Sequence, residues 1–142
     1  MTFHLTAGEI PELDELLSLY ASVDWTAYTR DPEALARALR QSSFVWTTRS
    51  NGGKLVGLVR GLSDDVSILF VQDILVSPDW QRRGVGRALM GAVLDHYAHV
   101  MQTALLTDDG SEQRAFYESL GFGNTRNLGL NAFYRANMQT NS

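Results

Sequence analysis

Cysteine is absent from this chain of 142 residues. Its absence removes disulfides, thiolate metal sites and any acyl-cysteine intermediate. Long apolar runs are absent too: nothing approaches the roughly 20 residues of a membrane helix. Residues 1–10 carry His4 and Glu9 and lack a basic segment leading into an apolar one, so no signal peptide is expected. Basic charge is in short supply. Twelve Lys and Arg stand against 16 Asp and Glu, a net charge of -4, which leaves no general field for nucleic acid or an anionic membrane. Repeats, low-complexity tracts and linkers are missing as well. The expectation is a soluble cytoplasmic protein with one domain over residues 1–142.

Three catalytic or phosphate-binding signatures can also be struck out. There is no G-x-x-x-x-G-K-[ST], and G-x-G-x-x-G fails because Leu89 stands where the last glycine is needed. No G-x-S-x-G nucleophile elbow occurs. His96 and His99 sit at i, i+3, but no third ligand accompanies them, so no metal is expected.

The order of elements is legible in what is present. Phe3–Thr6 reads as a strand. Leu13, Leu16, Leu17 and Tyr20 follow Pro11 at helical spacing. Ser22–Arg30 lacks periodicity and reads as a loop. Asp31 caps a second helix with Pro32 behind it and a stripe of Leu35, Ala38 and Leu39. Strands are expected at Phe44–Arg49, Lys54–Leu62 and Val66–Val76, the first two joined by Ser50-Asn51-Gly52-Gly53. A helix follows from about Gly84 to His99, its buried stripe Val85, Leu89, Val93 and Tyr97. Then come a strand at Thr103–Thr107, a helix at Ser111–Leu120 closed by Gly121, and two weak strands near Phe122–Thr125 and Leu130–Ala136. The fold class is α/β (α+β): a mixed, mostly antiparallel sheet of six to seven strands with about four helices.

The informative segment is Asp73–Arg87, DILVSPDWQRRGVGR. It reads as a strand, a proline turn and a helix that opens on glycines. Gly84 and Gly86 let a ligand approach the backbone, and the N–H groups of the first turn converge there with the positive end of the helix dipole. Arg82, Arg83 and Arg87 add cationic charge, making an anion site suited to a pyrophosphate.

With Val76-Ser77-Pro78 and Gln81-Arg82-Arg83-Gly84-Val85-Gly86 on the page, the chain resembles the GNAT superfamily of acyl-CoA-dependent N-acetyltransferases. A second family signature, an aromatic helix ending L-G-F, matches Arg114–Phe122 (RAFYESLGF) at the right separation. The resemblance implies acetyl-CoA as acyl donor and a primary amine, small-molecule or peptide, as acceptor. It implies that Ile74, Leu75 and Val76 bind the pantetheine arm and that the backbone of Arg82, Arg83, Gly84, Val85, Gly86 and Arg87 takes the diphosphate. Tyr117 matches the family's general acid. Gly110 stands where members often have an arm-binding asparagine, so that contact is either missing or supplied by Ser111 or Gln113, and Leu105 stands where some place a glutamate.

No general base therefore comes from the resemblance. Asp73, next to the pantetheine segment, is the first candidate, with a structural pairing to an arginine as its other reading; Asp108 and Asp109 come second, or else serve as turn and cap residues. Trp25 and Tyr28, beside Asp24, and Asp108 are the candidate acceptor-binding residues. Tyr134 faces either the cleft or a dimer partner, and a homodimer stays open. A non-catalytic CoA-binding module with the same fold is the alternative function.

Overall fold

The computed structural model describes residues 2–138. These fall into two compact units, one ending at Leu105 and the other beginning at Leu106. The first holds β1 (Phe3–Ala7), α1 (Leu13–Ser22), α2 (Thr26–Thr29), α3 (Pro32–Arg40), β2 (Phe44–Ser50), β3 (Leu55–Ser63), β4 (Ile68–Val76), α4 (Val85–His96) and β5 (Gln102–Leu105). The second holds α5 (Ser111–Ser119).

The five strands form one sheet in the order β1-β2-β3-β4-β5. The first four are antiparallel to their neighbours and β5 runs parallel to β4. β3 lies at the centre and is buried along Leu55–Gly61, as a strand covered on both faces must be. The period of two decides which layer each side chain of β2 meets. Val45 joins the cluster formed by α1 and α3, Thr47 donates to Glu9, and Arg49 pairs with Glu15 of α1. The alternate positions face α4: Phe44 meets Tyr97 at 5.3 Å, and Thr48 lies beside Gly57 where Val85 and Leu89 come down.

Local signals hold where a specific bond enforces them. The Asp31 carboxylate accepts from the Ala34 amide at 3.2 Å, with Pro32 at the first helical position. Gly53 N–H donates to the Ser50 carbonyl in the expected hairpin. In the next turn the Asp64 carboxylate accepts from the Ser67 hydroxyl and from the amides of Val66, Ser67 and Ile68. Those bonds, the hydroxyl's first, hold its carboxyl well below the usual range. Val85, Leu89, Val93 and Tyr97 are all buried.

Two expectations need correction. Among the described residues the sheet has five strands, not six to seven. Among the described residues, Phe122–Thr125 and Leu130–Ala136 form no strand; a 3-10 turn at Thr125–Leu128 is the only regular element there. Apart from the half-buried Phe122 their side chains are exposed, Phe133 to 95%, and a strand without a neighbour has nothing to hold it. The Ser22–Arg30 loop in turn contains a one-turn helix, α2, which makes five helices among the described residues.

One buried group is left without a partner. Thr48 Oγ1 is fully enclosed and makes no hydrogen bond among the described residues. Thr48→Val removes that unpaid desolvation and keeps the branched shape, so a gain of about 1 kcal/mol is expected. A urea midpoint shifted downward would contradict it.

Candidate functional site

The site begins where two strands part. β5 pairs with β4 only from Ile68↔Gln102 to Val71↔Leu105, whereas β4 continues to Val76 against Gly57 of β3. Residues 72–76 of β4 thus run on without β5 beside them. Leu75 is buried in the core, while Ile74 and Val76 are half-buried. The three residues expected to face the pantetheine arm therefore lie on the stretch of β4 that β5 leaves unpaired.

After Val76 the chain turns sharply. Ser77 N–H donates to Val56 O at 2.8 Å, Pro78–Trp80 makes a 3-10 turn, and Gln81 Nε2 donates to Val76 O at 3.0 Å. Arg82 then takes a left-handed φ of 63° and Gly84 one of 87°. Such a φ is uncommon for a non-glycine residue, and its occurrence beside a glycine-started helix marks a shaped turn.

The fit of a diphosphate to this turn can be tested on its own atoms. Gly84 is the N-cap of α4 and offers no side chain to cap it. The first helical bond runs from Ala88 N–H to Gly84 O, so the amides of Val85, Gly86 and Arg87 precede any i−4 carbonyl acceptor. A Cβ built on Gly84 meets nothing within 4 Å, so open space stands over the cap. An uncapped helix start with cationic side chains is the donor set an anion of this kind needs. Of the three arginines, Arg83 is turned back on its own loop: its Nε donates to Asp79 O at 3.0 Å and its guanidinium lies 5.9 Å from the Trp80 ring centre. Arg82 and Arg87 are exposed at the turn.

Gly57 seats this helix. A Cβ there would stand 2.5 Å from Thr48 Oγ1 and 2.9 Å from Val85 Cγ1. The first turn of α4 packs that closely onto β3. The signal was a glycine inside an apolar strand, which marks a close approach. Sequence reasoning did not use it.

Asp73 is a buried carboxylate of the first unit. It is 3% exposed and receives three donors: Tyr20 Oη at 2.9 Å, Tyr28 Oη at 2.7 Å and Arg60 Nε at 2.7 Å. Arg60 lies opposite it in the β3–β4 register, next to a bulge at Arg60/Gly61. Burial alone would pull the Arg60 guanidinium down, but the Asp73 carboxylate and the neighbouring phenols outweigh it and hold it above the ordinary arginine value. Burial, then the Asp73 charge, pushes the Tyr20 phenol well up, and the same two causes raise Tyr28.

Trp25 and Tyr28 extend this knot. Tyr20, Trp25 and Tyr28 have ring centres 5.0–6.1 Å apart. Both acceptor candidates pack on the core and remain half-buried. Asp24, with φ 62°, is exposed at the bend before them. Tyr20 and Arg60 were missed from sequence. An arginine in the apolar run LVGLVRGL was the available sign, because a buried charge requires a partner.

Tyr117, Asp108 and Asp109 belong to the second unit. Tyr117 is half-buried on α5, edge-on to Phe116 at 5.1 Å and to Phe122 at 5.8 Å. Burial raises its phenol above 10, against a smaller opposing effect from a Thr107 hydrogen bond. Asp108 is exposed, and Asp109 pairs with Arg114 at 2.9 Å. A Cβ on Gly110 would lie 2.1 Å from Gln113 Oε1, so the Gln113 amide fills the space beside that glycine. His99 bonds Asp65 at 2.8 Å, and His96 stacks edge-on to Tyr97.

Known proteins share this fold. A GNAT-family acetyltransferase of Streptococcus pneumoniae is 30% identical, with a TM-score of 0.85 over 97% of this chain and all of that one. The structure of AAC(6')-Iy with a CoA-containing bisubstrate analogue is 16% identical and shares the fold, at a TM-score of 0.73 over 97% of this chain and all of that one. Serotonin N-acetyltransferase 2, chloroplastic, of Oryza sativa subsp. japonica is 33% identical over 117 residues, 78% of this chain and 57% of that protein. The chain thus spans little more than half the length of that plant relative. No helix among the described residues is long and apolar enough to cross a membrane. The family model of the Acetyltransferase (GNAT) family matches residues 10–122, from α1 through the parted strands and the glycine turn to the L-G-F end of α5, and the chain belongs to that family.

Proposed function

We propose that this protein is an N-acetyltransferase that moves the acetyl group of acetyl-CoA to a primary amine by direct attack in a ternary complex. The observation that carries the reading is the uncapped start of α4 at Gly84, set at the end of a β4 segment that β5 leaves unpaired. Acetyl-CoA, when bound, supplies an activated acyl carbon on a thiol leaving group.

The chain's own residues then have distinct tasks. The amides of Val85, Gly86 and Arg87 hold the diphosphate, with Arg82 and Arg87 adding charge. The backbone of Ile74–Val76 aligns the arm. The amine nitrogen bonds to the acyl carbon, the carbon–sulfur bond breaks, and the sulfur takes a proton. Tyr117 hydrogen-bonds the departing thiolate, whose thiol has a pKa of about 8.5, or gives it the proton and regains one from water. The amine's surplus proton leaves to water. Asp73 does not take it in this reading, because three donors and a guanidinium charge already occupy its carboxylate; it anchors the Trp25–Tyr28 segment instead. Asp108, exposed on the second unit, is kept as a residue that attracts the amine.

The acceptor class is an amine carried on an apolar or aromatic body, for which the half-exposed Trp25 and Tyr28 offer ring faces. The rice relative is named for serotonin, a primary amine on an indole, so serotonin belongs in the first panel with a polyamine, an amino acid and a peptide N-terminus. Thiol release with at least one amine is expected. Acetyl-CoA binding with no release across the panel would replace this reading with the non-catalytic module.

The pH profile follows from two groups. Tyr117 has a raised pKa, so it stays protonated below about pH 10 and imposes no alkaline loss in that range. A free alkylamine near 10.4 becomes a nucleophile as pH rises. The rate constant at low amine concentration should therefore climb about tenfold per pH unit from 7 to 9. A profile falling above pH 8 would contradict the assignment.

A further inference from the structure

An arginine buried in an apolar strand needs partners from the fold, and Arg60 has several. Its Nε donates to Asp73 Oδ2 at 2.7 Å and its Nη1 to Ser42 Oγ at 3.3 Å. The Tyr28 ring centre lies 5.8 Å from its guanidinium carbon, within cation–π reach. Tyr20 Oη donates to the same Asp73 Oδ2, and Tyr28 Oη to Oδ1. Beside the Tyr28 ring stand Tyr20 at 5.0 Å and Trp25 at 6.1 Å. All of these groups lie in the first unit.

Together they make a receptor for a cation: a buried carboxylate, aromatic ring faces and a hydroxyl oxygen that accepts a further N–H. Its occupant is the chain's own guanidinium. Apolar residues of similar volume would hold such a core as well or better, so stability alone does not account for the charge. Position does. Tyr28 has one ring serving both the cation site and the half-buried wall that Trp25 and Tyr28 offer to an acceptor.

We propose that Arg60 determines acceptor selectivity: it fills from within a cation site beneath Trp25 and Tyr28, neutralises Asp73, and so denies that carboxylate to the amine. A monoamine on an apolar body needs only the ring faces and is accepted. A diamine must also place its second ammonium, and the counter-charge nearest the wall is already taken. The selectivity rests on the acetyltransferase reading; the cation site does not.

Arg60→Ala deletes the atoms of an N-ethylguanidinium ion, so that ion, at millimolar concentration, is the probe. The variant's melting temperature should rise saturably with it, by mass action on the folded state, and not with sodium chloride at equal ionic strength. If the variant is unfolded alone, the ion should restore its circular dichroism. The apolar set Arg60→Met, Asp73→Leu, Tyr20→Phe and Tyr28→Phe has no carboxylate there and should ignore the ion. A variant that gains no more from ethylguanidinium than from salt, or an apolar set that gains as much, would overturn the cation site. Selectivity is read on Arg60→Gln, which can still donate to Asp73 but leaves its charge unneutralised. The ratio of kcat/KM for an alkyl diamine to that for an arylalkyl monoamine should rise at least about tenfold over the parent, the gain from one new ion pair. An unchanged ratio would refute the selectivity role. A parent inactive with every amine would sink the acetyltransferase reading and the selectivity with it, while the melting experiment still decides the cation site.

Discussion

Asp73→Asn should destabilise the protein by about 3–5 kcal/mol, the cost of leaving a buried guanidinium without its counter-charge. Arg60 is 6% exposed and cannot turn to water. Asparagine also places an NH2 where a carboxylate oxygen now receives Tyr20, Tyr28 or Arg60, so one donor meets another. Against a total stability of about 5–15 kcal/mol the loss is large, and the melting temperature should fall by roughly ten degrees or more. Replacing the set by apolar residues, Arg60→Met and Asp73→Leu with both tyrosines as phenylalanine, should recover most of it, since no charge is then left buried. A single variant melting within about 1 kcal/mol of the parent would mean that Arg60 reaches solvent without Asp73. The same knot sets an alkaline limit. The folded pKa values of Tyr20 and Tyr28 are raised, so the protonated phenols are favoured in the fold. Their contribution is full below about pH 10 and is lost as pH rises above it.

How far the sequence reached can be read from the same residues. Asp73 stood out because it precedes the arm-binding strand, and its pairing with an arginine was one of two readings. Which reading holds depends on register: Arg60 lies opposite Asp73 only because β3 and β4 pair with a bulge at Arg60/Gly61, a long-range fact that no local pattern contains. Tyr20 was legible as a buried member of the α1 stripe, but not as a donor to a residue 53 positions away. The elements of the first unit were legible because caps and turns are local chemistry, as with Asp31 and the Ser50–Gly53 hairpin. The closing strands were expected because the alternation of Leu130–Ala136 is real, but alternation is a local pattern and pairing is not, and among the described residues this segment forms no strand. The Gly84 turn was legible as a type; the left-handed Arg82 and the backward lean of Arg83 onto Trp80 were not.

Tyr117→Phe is expected to lower turnover by about 10²–10⁴-fold, the usual worth of a positioned acid, while acetyl-CoA affinity stays within about twofold. The two readouts separate because phenylalanine keeps the ring that packs edge-on to Phe116 and Phe122 and removes only the hydroxyl. A role in packing alone would leave turnover intact; a role in cofactor binding alone would weaken affinity and spare the rate at saturation. Burial raises the Tyr117 pKa, so the phenol stays a hydrogen-bond donor at neutral and mildly alkaline pH. Thr107, in the same unit, hydrogen-bonds the Tyr117 hydroxyl, so Thr107→Val should leave the proton in place and change the rate far less than Tyr117→Phe. If the two variants lose turnover equally, the hydroxyl acts through Thr107 and is not itself the donor to sulfur. Thiol release at saturating acetyl-CoA, measured beside calorimetric affinity for both variants, decides between them.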